Sequence, residues 1–445
     1  MNNIGSNGEP KGRLVLVGSI VMDVLLYVDH LPDHGSDVLA SQCHISPGGG
    51  FNVLNAARQL GMKAAYGGII GTGRWASGIQ DALSEYDIDR LAVLTSEGDN
   101  GFVVGMVEPT GERTFITYPG CESMLQDEHL VQIEDKLQDD DTIYISGYEF
   151  LYPVSGPLLS DWIVHASQRW NIVIDPGPLV GELHDKSLVS IISACSLLTL
   201  NLKEAETLLY RVQEGADTQS GMASPSPTDL EPSVSDLSTS PTDLEPSVSD
   251  LEPSVSDLEP SVSDLSTSSA DLEPSVSDLE PSVSDLSTSS ADLEPSASDL
   301  VPSVSDLVPS VSDLSTSPAD LVIENATRLA KELHEHLRKD ATLIVRAGKH
   351  GCVIVPGTSR STDSMKNSDL CRAPAVVPSS PSRKTVDTTG AGDVHTAAYL
   401  AGIAYGATKT DAAWIANVAA SMSVERLGGA SCPSIAEIDN RLNTQ

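Results

Sequence analysis

The stretch Asp387-Thr-Thr-Gly-Ala-Gly-Asp393 joins a turn of small residues to an apolar helical pattern, VHTAAYLAGIAYG, that follows it directly. Gly390, Ala391 and Gly392 allow backbone N–H groups to approach a ligand closely, and a helix N-terminus with free N–H donors binds anions. Phosphoryl transfer requires such a cradle for the migrating group and a base beside the attacking hydroxyl group. The stretch therefore predicts a phosphoryl-transfer site, with Asp393 as catalytic base and the three small residues as the anion hole. A glycine turn with an aspartate N-cap is the structural alternative.

Two other motifs suggest different sites. Asp387-Thr-Thr-Gly resembles the D-T-G of aspartic proteases, but it has an extra Thr, and the chain has no second copy to complete a catalytic pair. Gly71-Thr-Gly73 follows a strand-like run and resembles part of a dinucleotide-binding fingerprint. It occurs after the second strand–helix unit and not after the first, so an NAD site is the less favoured interpretation.

Short apolar runs alternate with helical segments along most of the chain. The first run that predicts a buried strand begins at residue 13, and Asp23 interrupts the apolar pattern just past the end of that run. Further runs occur at 65–70, 142–146, 172–175, 197–200, 342–346 and 352–355. Residues 102–107 and 113–118 flank Glu108-Pro-Thr-Gly111 and predict a β-hairpin. Strands alternating with helices predict an α/β fold with a doubly wound, mostly parallel sheet covered by helices, and the hairpin predicts a separate small β element.

One long segment has a different composition. Between Asp217 and Asp320 the chain has 22 acidic residues and no Lys or Arg, and Asp recurs every seventh residue over 229–320. Few large apolar side chains and many prolines argue against a coiled coil or a repeat solenoid. We predict a disordered acidic Ser/Pro-rich insertion at 213–321, within a single domain formed by 1–212 and 322–445. A Ser-rich docking or phosphorylation segment is the alternative.

Charge and composition limit the partners. The chain has a net charge of −37 and no stripe of Lys and Arg, which argues against a nucleic-acid partner. Its six cysteines form no CxxC motif, and its N-terminus has no apolar segment typical of a signal peptide. No apolar run reaches the length of about 18 residues that a membrane span requires. We therefore expect a soluble cytoplasmic protein without membrane partners.

Further motifs occur in a recognisable order along the chain. They are Gly18-Ser-Ile-Val-Met-Asp23, Gly48-Gly-Gly-Phe-Asn52 with Leu60-Gly61, Asn201-Leu-Lys-Glu204, Val345-Arg-Ala-Gly348-Lys-His-Gly351, and Asn417 with Ala419, Ala420 and Ser421. Together with DTTGAGD they resemble the motifs of the ribokinase-like, or PfkB, carbohydrate kinases, and apart from the insertion they span residues 13–435. The resemblance implies transfer of the γ-phosphoryl group of ATP to a hydroxyl group of a sugar or related small molecule.

The resemblance also implies individual roles. Substrate binding is implied for Asp23, Gly48, Gly49 and Asn52, and ATP binding for Asn201, Glu204, Arg346, Gly348, Gly351 and Asn417. Glu204 is expected to hold Mg²⁺ indirectly, and Asp387 and Thr389 to help hold a monovalent cation such as K⁺. Glu149 follows the strand at 142–146 and is predicted either to face the substrate cleft or to be structural.

The resemblance implies a β lid from 27–46 and 101–119, through which two copies of the chain would form a homodimer. The chain departs from the family pattern at three positions. Pro47 stands where the substrate loop begins with Gly, Gly73 where the family often has Asp, and Arg346 where Thr is usual. These departures concern the acceptor and the nucleotide contacts and leave Asp393 unaffected. A nucleoside kinase of the same fold, and a catalytically silent sugar or nucleotide sensor, are the alternatives.

Overall fold

The fold is organised by a large sheet in the residues that the computed structural model describes, which are 8–95, 97–110, 113–220, 317–358 and 373–444. The strands are β1 (Arg13–Val17), β2 (Ile20–Tyr27), β3 (Gln42–Gly49), β4 (Lys63–Gly67), β5 (Ile69–Ile70), β6 (Asp89–Arg90), β7 (Val93–Leu94), β8 (Phe102–Val107), β9 (Arg113–Tyr118), β10 (Asp141–Ser146), β11 (Asn171–Asp175), β12 (Leu197–Asn201), β13 (Thr342–Arg346), β14 (Cys352–Val355) and β15 (Ala375–Val377). The helices are α1 (Phe51–Gln59), α2 (Arg74–Glu85), α3 (Asp127–Glu134), α4 (Ser155–Ala166), α5 (Asp185–Ala194), α6 (Leu202–Ser220), α7 (Pro318–His336), α8 (Ala391–Ala404), α9 (Lys409–Ser423) and α10 (Ile435–Thr444).

The large sheet has the strand order β15-β14-β13-β12-β11-β10-β1-β4-β6 within the described ranges. Its strands are parallel from β13 to β6, and β14 and β15 are antiparallel at one edge. The chain adds strands on one side of β1 and then, from β10 onward, on the other. Ligands of such sheets bind outside the carboxyl ends of the strands near this reversal.

Both faces of the large sheet are buried. In β1, Leu14 and Leu16 face one core, and Val15 and Val17 face the other, so the strand is apolar throughout. Helices α1, α2, α8, α9 and α10 pack on the first face, and α3 to α7 pack on the second. This arrangement confirms the predicted doubly wound sheet. No helix in the described parts of the chain is long and apolar enough to cross a membrane.

A second sheet, which we call the lid, has the order β3-β2-β8-β9. Strands β8 and β9 pair antiparallel, as the predicted hairpin requires, and β2 pairs with β3 and β8. The first lid strand begins at Ile20, earlier than the predicted segment 27–46. Homodimer formation through the lid stays a prediction.

The position of Asp23 corrects the sequence analysis. The apolar run predicted Asp23 just past the end of the first strand, whereas the structure has Asp23 inside β2, opposite Ser46 and Val103. The chain breaks between β1 and β2 at Gly18, where φ is 149° and a Cβ would lie 2.6 Å from the Glu149 Cδ. Because apolar residues continue on both sides of this break, the pattern alone did not reveal two strands.

The boundaries of the predicted insertion also differ from the structure. Helix α6 continues to Ser220, and α7 begins at Pro318 after Ser317, whose Oγ accepts a hydrogen bond from the Asp320 backbone at 3.2 Å. Both ends of the predicted segment 213–321 are therefore helical. Its remainder, residues 221–316, lies outside the described residues, and its disorder stays a prediction.

Candidate active site

The turn before α8 has the geometry of an anion-binding loop. Gly390 has a φ of 72°, in the left-handed region that favours glycine, and a Cβ there would lie 2.0 Å from the carbonyl oxygen of Gly429. The N–H of Ala391 makes only a long contact of 3.4 Å with the carbonyl of Thr388. The first N–H groups of α8 are consequently available at the helix end, where the macrodipole also favours an anion.

Asp393 lies in the first turn of α8, and its surroundings favour the protonated form. Burial, together with the negative charge of Asp175, raises the pKa of Asp393 to about 7. The guanidinium group of Arg346 and a side-chain hydrogen bond from Asn52 act in the opposite direction. A carboxyl group with a pKa near neutrality is well matched to accept a proton from a hydroxyl group.

Asp23, Gly48 and Asn52 converge beside Asp393. A Cβ on Gly48 would lie 2.0 Å from the Asp23 Oδ2, so only glycine admits this carboxylate. Burial raises the pKa of Asp23 to about 6, and the negative charge of Asp23 contributes to the raised pKa of Asp393. The Asp23 carboxylate and the Asn52 amide thus form one polar group beside Asp393, between the lid and α8, which we call the acceptor group.

Two residues that follow β10, Tyr148 and Glu149, have different surroundings. Burial raises the pKa of the Tyr148 hydroxyl, and so do the negative charges of Glu204, Asp175, Asp393 and Asp23, so this partly exposed ring lies within electrostatic range of these carboxylates. Glu149 is buried, and its Oε1 accepts hydrogen bonds from the backbone N–H of Ser19, at 2.9 Å, and from the Ser19 hydroxyl. In this structure Glu149 therefore fixes the turn between β1 and β2.

A cavity of about 420 Å³ lies at the carboxyl ends of β12 and β13. The residues predicted to bind ATP that line it are Asn201, Arg346, Gly348, Gly351 and Asn417. Ala391 and Gly392 of the anion-hole turn line it as well, so the cavity reaches the N-terminus of α8. Asp393 directly follows these two residues, and the Asn52 side chain acts on its pKa, so it lies between the cavity and the acceptor group.

Arg346 connects several strand ends at the cavity. Its Nη1 lies 2.8 Å from the Asp175 Oδ2 and 3.5 Å from the carbonyl oxygen of Gly392. Its Nη2 lies 3.6 Å from the Glu204 Oε2, and the side chain is only 14% exposed. The guanidinium group therefore offsets the charges of two carboxylates and lies close to Asp393.

Asn201 and Glu204 form a closed pair at the start of α6. The Asn201 Nδ2 donates to the Glu204 Oε1 at 2.7 Å, and the Asn201 backbone N–H donates to Oε2 at 2.7 Å. The Glu204 backbone N–H donates in turn to the Asn201 Oδ1 at 2.9 Å. This reciprocal cap holds both side chains in fixed positions beside the cavity.

Asp387 organises the loop before the anion hole. Its Oδ1 accepts from the Thr389 N–H at 2.8 Å, and its Oδ2 accepts from the Gly428 N–H at 3.0 Å. Oδ1 also pairs with the guanidinium group of Arg113, which comes from the lid strand β9. Burial acts to raise the pKa of Asp387, but the two backbone donors and the Arg113 charge hold it below its usual value.

Sequence reasoning missed several residues that the structure brings to the site. Asp175 is the last residue of β11, as Asn201 is the last residue of β12. A polar residue at the end of an apolar run could therefore have identified Asp175 as well. His395 lines the cavity, with its Nε2 3.1 Å from the Asn417 Oδ1, and burial lowers its pKa to about 3. Arg113 was recognised only as part of a hairpin, because nothing in a single sequence shows that β9 reaches the loop before α8.

Comparison with a family model gives a match over most of the chain. The model described as pfkB family carbohydrate kinase matches residues 11–223 and 275–436. An uncharacterised sugar kinase of Escherichia coli K12, YegV, is 32% identical over 205 residues. This alignment covers 46% of the chain and 62% of the relative, so the chain spans somewhat less than two thirds of that protein's length.

Solved structures resemble the fold at low sequence identity. An Arabidopsis thaliana ribokinase complexed with ribose and ATP has a TM-score of 0.56 and 15% identity, covering 98% of this chain and 99% of its own. A Burkholderia thailandensis nucleoside kinase in complex with inosine has a TM-score of 0.57 and 14% identity, covering 97% of this chain and 96% of its own. These likenesses confirm the ribokinase-like fold that the motifs predicted.

Proposed function

Because the chain belongs to the pfkB family of carbohydrate kinases, we propose that it transfers the γ-phosphoryl group of ATP to a hydroxyl group of a sugar or related neutral molecule. The observation that carries the proposal is the position of Asp393. It is partly buried in the first turn of α8, directly after the two anion-hole residues that line the cavity, and the Asn52 side chain of the acceptor group acts to lower its pKa. A base in this position lies between a nucleotide cavity and a polyol site.

In the proposed reaction Asp393 accepts the proton of the acceptor hydroxyl group as its oxygen attacks the γ-phosphorus. The bond from the γ-phosphorus to the bridging oxygen of ADP breaks, and ADP leaves. The N–H groups at the start of α8 and the guanidinium group of Arg346 stabilise the negative charge of the migrating group. Arg346 also favours the charged form of Asp393 before the proton is taken.

The cavity is the proposed ATP site, and the residues beside it suit a hard cation. Asn201 and Glu204 supply oxygen donors of the kind that Mg²⁺ prefers. Both Glu204 oxygens already accept hydrogen bonds from Asn201, so Glu204 is suited to hold Mg²⁺ through water. The chemistry that bound Mg²⁺ supplies is neutralisation of phosphate charge.

The charges around the acceptor group favour an uncharged acceptor. Asp23 and Asp393 are acidic, and the arginine whose charge acts on Asp393, Arg346, is already paired. Arg346 pairs with Asp175 and lines the cavity, so its charge faces the proposed nucleotide side of Asp393. A phosphorylated or carboxylated sugar would meet repulsion from the two carboxylates, whereas a neutral polyol would donate hydrogen bonds to them. We therefore infer that the acceptor is a neutral polyol.

A nucleoside acceptor is the second candidate. The ring of Tyr148 is partly exposed and lies within range of the charges of Asp23 and Asp393, so it offers a flat surface on which a base could stack. The similar Burkholderia kinase was solved with inosine. Free sugars would then be poor acceptors, and replacement of Tyr148 by Ala would raise KM for nucleosides more than for sugars.

The test measures the release of ADP from ATP, with Mg²⁺ present, when neutral sugars, nucleosides, sugar phosphates and sugar acids are offered in turn as acceptors. We expect turnover with a neutral acceptor, and Asp393→Asn should lower kcat by roughly 10²–10⁴ while ATP still binds. Asp161→Asn, at an exposed carboxylate, is the matched control and should leave kcat unchanged. Near-normal turnover in Asp393→Asn would refute the assigned base. Tight acceptor binding without ADP release by the wild type would favour the sensor.

A further inference from the structure

The residues expected to hold a monovalent cation do not fit that role in this chain. Resemblance implied that Asp387 and Thr389 help hold K⁺. Both oxygens of Asp387 are engaged, however, by the N–H groups of Thr389 and Gly428 and by the Arg113 guanidinium group. A second guanidinium nitrogen of Arg113 lies 3.4 Å from the Thr388 hydroxyl. The permanent positive charge of Arg113 thus already neutralises the Asp387 carboxylate.

The ion pair between Arg113 and Asp387 is buried, with side-chain exposures of 14% and 4%. A buried carboxylate requires a compensating charge or several hydrogen bonds, and an arginine remains protonated at every working pH. The guanidinium group supplies this charge without a binding equilibrium. A site that is already compensated has little affinity for a further cation.

We propose that Arg113 takes the place of a monovalent cation at Asp387, so that turnover needs no K⁺ or Na⁺. Arg113 is a positioning residue: it holds Asp387, which holds the loop before the anion hole through the Thr389 N–H. This inference rests on the proposed function, because its first measurement is turnover. Since Arg113 belongs to β9, the charge reaches the loop only with the lid in place.

The geometry around Asp387 indicates which oxygen donors would be left for a cation if Arg113 were removed. The Thr389 Oγ1 is buried and, among the described residues, makes no hydrogen bond of ordinary geometry, although its side chain helps to hold the pKa of Asp387 low. Without the guanidinium group, this oxygen and the Asp387 Oδ1 would be oxygen donors beside an uncompensated charge. Alkali cations prefer such oxygen donors. An alanine variant should therefore acquire a dependence on K⁺ that the wild type lacks.

The experiment compares kcat/KM in choline chloride and in KCl at a constant ionic strength of about 0.1 M, where screening is equal. Wild-type values should agree within about twofold, a difference of about 0.4 kcal/mol. Arg113→Ala should lose roughly tenfold to a hundredfold in choline, the cost of a displaced loop, and recover severalfold in KCl. Arg113→Lys should be slower but indifferent to the salt. Arg169→Ala, which removes an exposed ion pair, is the control and should behave as the wild type.

Melting temperature in the two salts provides a readout that needs no turnover. KCl should raise the melting temperature of Arg113→Ala and leave that of the wild type unchanged. Activation or stabilisation of the wild type by K⁺ would overturn the inference, and so would a loss in Arg113→Ala that no cation restores. If no acceptor is turned over by any variant, the proposed function fails, and the melting temperatures still decide between a guanidinium group and a bound cation.

Discussion

As the proposed catalytic base, Asp393 should set the pH dependence of the reaction. Its pKa is raised to about 7, first by burial. A base must be deprotonated to act, so kcat/KM should fall below about pH 7, approaching tenfold per pH unit. The measurement is kcat/KM from about pH 5.5 to about pH 8.5, and a flat profile would contradict the assignment.

Arg346 provides a second test at the same carboxyl group. Its positive charge lowers the pKa of Asp393, so Arg346→Gln should move the acid limb of kcat/KM to higher pH. Arg346→Lys keeps the charge and should leave the limb closer to that of the wild type. An unmoved limb in Arg346→Gln would mean that another group controls the profile.

Asp23 is expected to act on the acceptor alone. Asp23→Ala should raise the dissociation constant of the acceptor roughly tenfold to a hundredfold, the worth of a hydrogen bond to a charged group. Nucleotide affinity should stay unchanged in calorimetry. Asp29→Ala, an exposed carboxylate in the same region of the chain, is the control. If Asp23→Ala instead lost nucleotide affinity and kept acceptor affinity, Asp23 would belong to the nucleotide site and not to the acceptor site.

Individual residues were predictable where their signal is local. Asp393 and its glycines are recognisable because a helix that begins with small residues and an acid is rarely explained by packing. Asn201 and Arg346 end apolar strands, which marks them as well. Arg113 and Tyr148 were not predictable, since their roles depend on the closeness of segments far apart in sequence, and such distances arise only from tertiary packing.

At the scale of elements, α2 begins without a capping side chain of its own. Gly73 precedes it, where the family often has Asp, and Asp99 from a distant loop accepts hydrogen bonds from the N–H groups of Trp75 and Ala76 at 3.0 and 2.8 Å. A Cβ on Gly73 would lie 2.1 Å from the Asp99 Oδ2. Asp99 therefore occupies the place of the missing cap.

Because Asp99 caps α2 in place of a side chain at position 73, variants at these two positions test the cap. Asp99→Ala should cost about 1–2 kcal/mol, a lost cap, and lower the melting temperature by roughly 2–6 °C. Gly73→Asp alone should also destabilise, because it collides with Asp99, whereas the double variant should recover part of the stability. The double-mutant cycle is read from thermal unfolding. An unchanged melting temperature in Asp99→Ala would show that the cap contributes nothing.

Element boundaries were predictable where turn residues mark them. The hairpin strands β8 and β9 and the strands β13 and β14 begin and end as predicted, because Gly-containing turns separate them. The break between β1 and β2 was missed, because a single glycine in a continuous apolar run looks the same as a strand interior. Tertiary contacts at Glu149 make that glycine necessary, and they are not visible in the pattern.

At the scale of the whole molecule, the acidic insertion is expected to be dispensable for catalysis. Removal of residues 221–316, joined by a short Gly/Ser linker, keeps α6 and the capping box of Ser317 and Asp320 at the start of α7. Loop length changes stability only logarithmically, so the melting temperature should move by no more than a few degrees. The measurements are kcat and thermal unfolding, and kcat should stay within a few-fold. Loss of folding or activity would contradict a single-domain organisation.

The division of the site between two sheets has an evolutionary consequence. Asp23 and Gly48 belong to the lid, whereas Asp393 and the cavity belong to the large sheet and its helices. If the proposed function holds, selection for a new acceptor can therefore change the lid strands while Asp393 and the cavity stay unchanged. The contact between Arg113 and Asp387 limits this freedom, because a transplanted lid that lacks an arginine at this point would leave the inherited loop without its counter-charge.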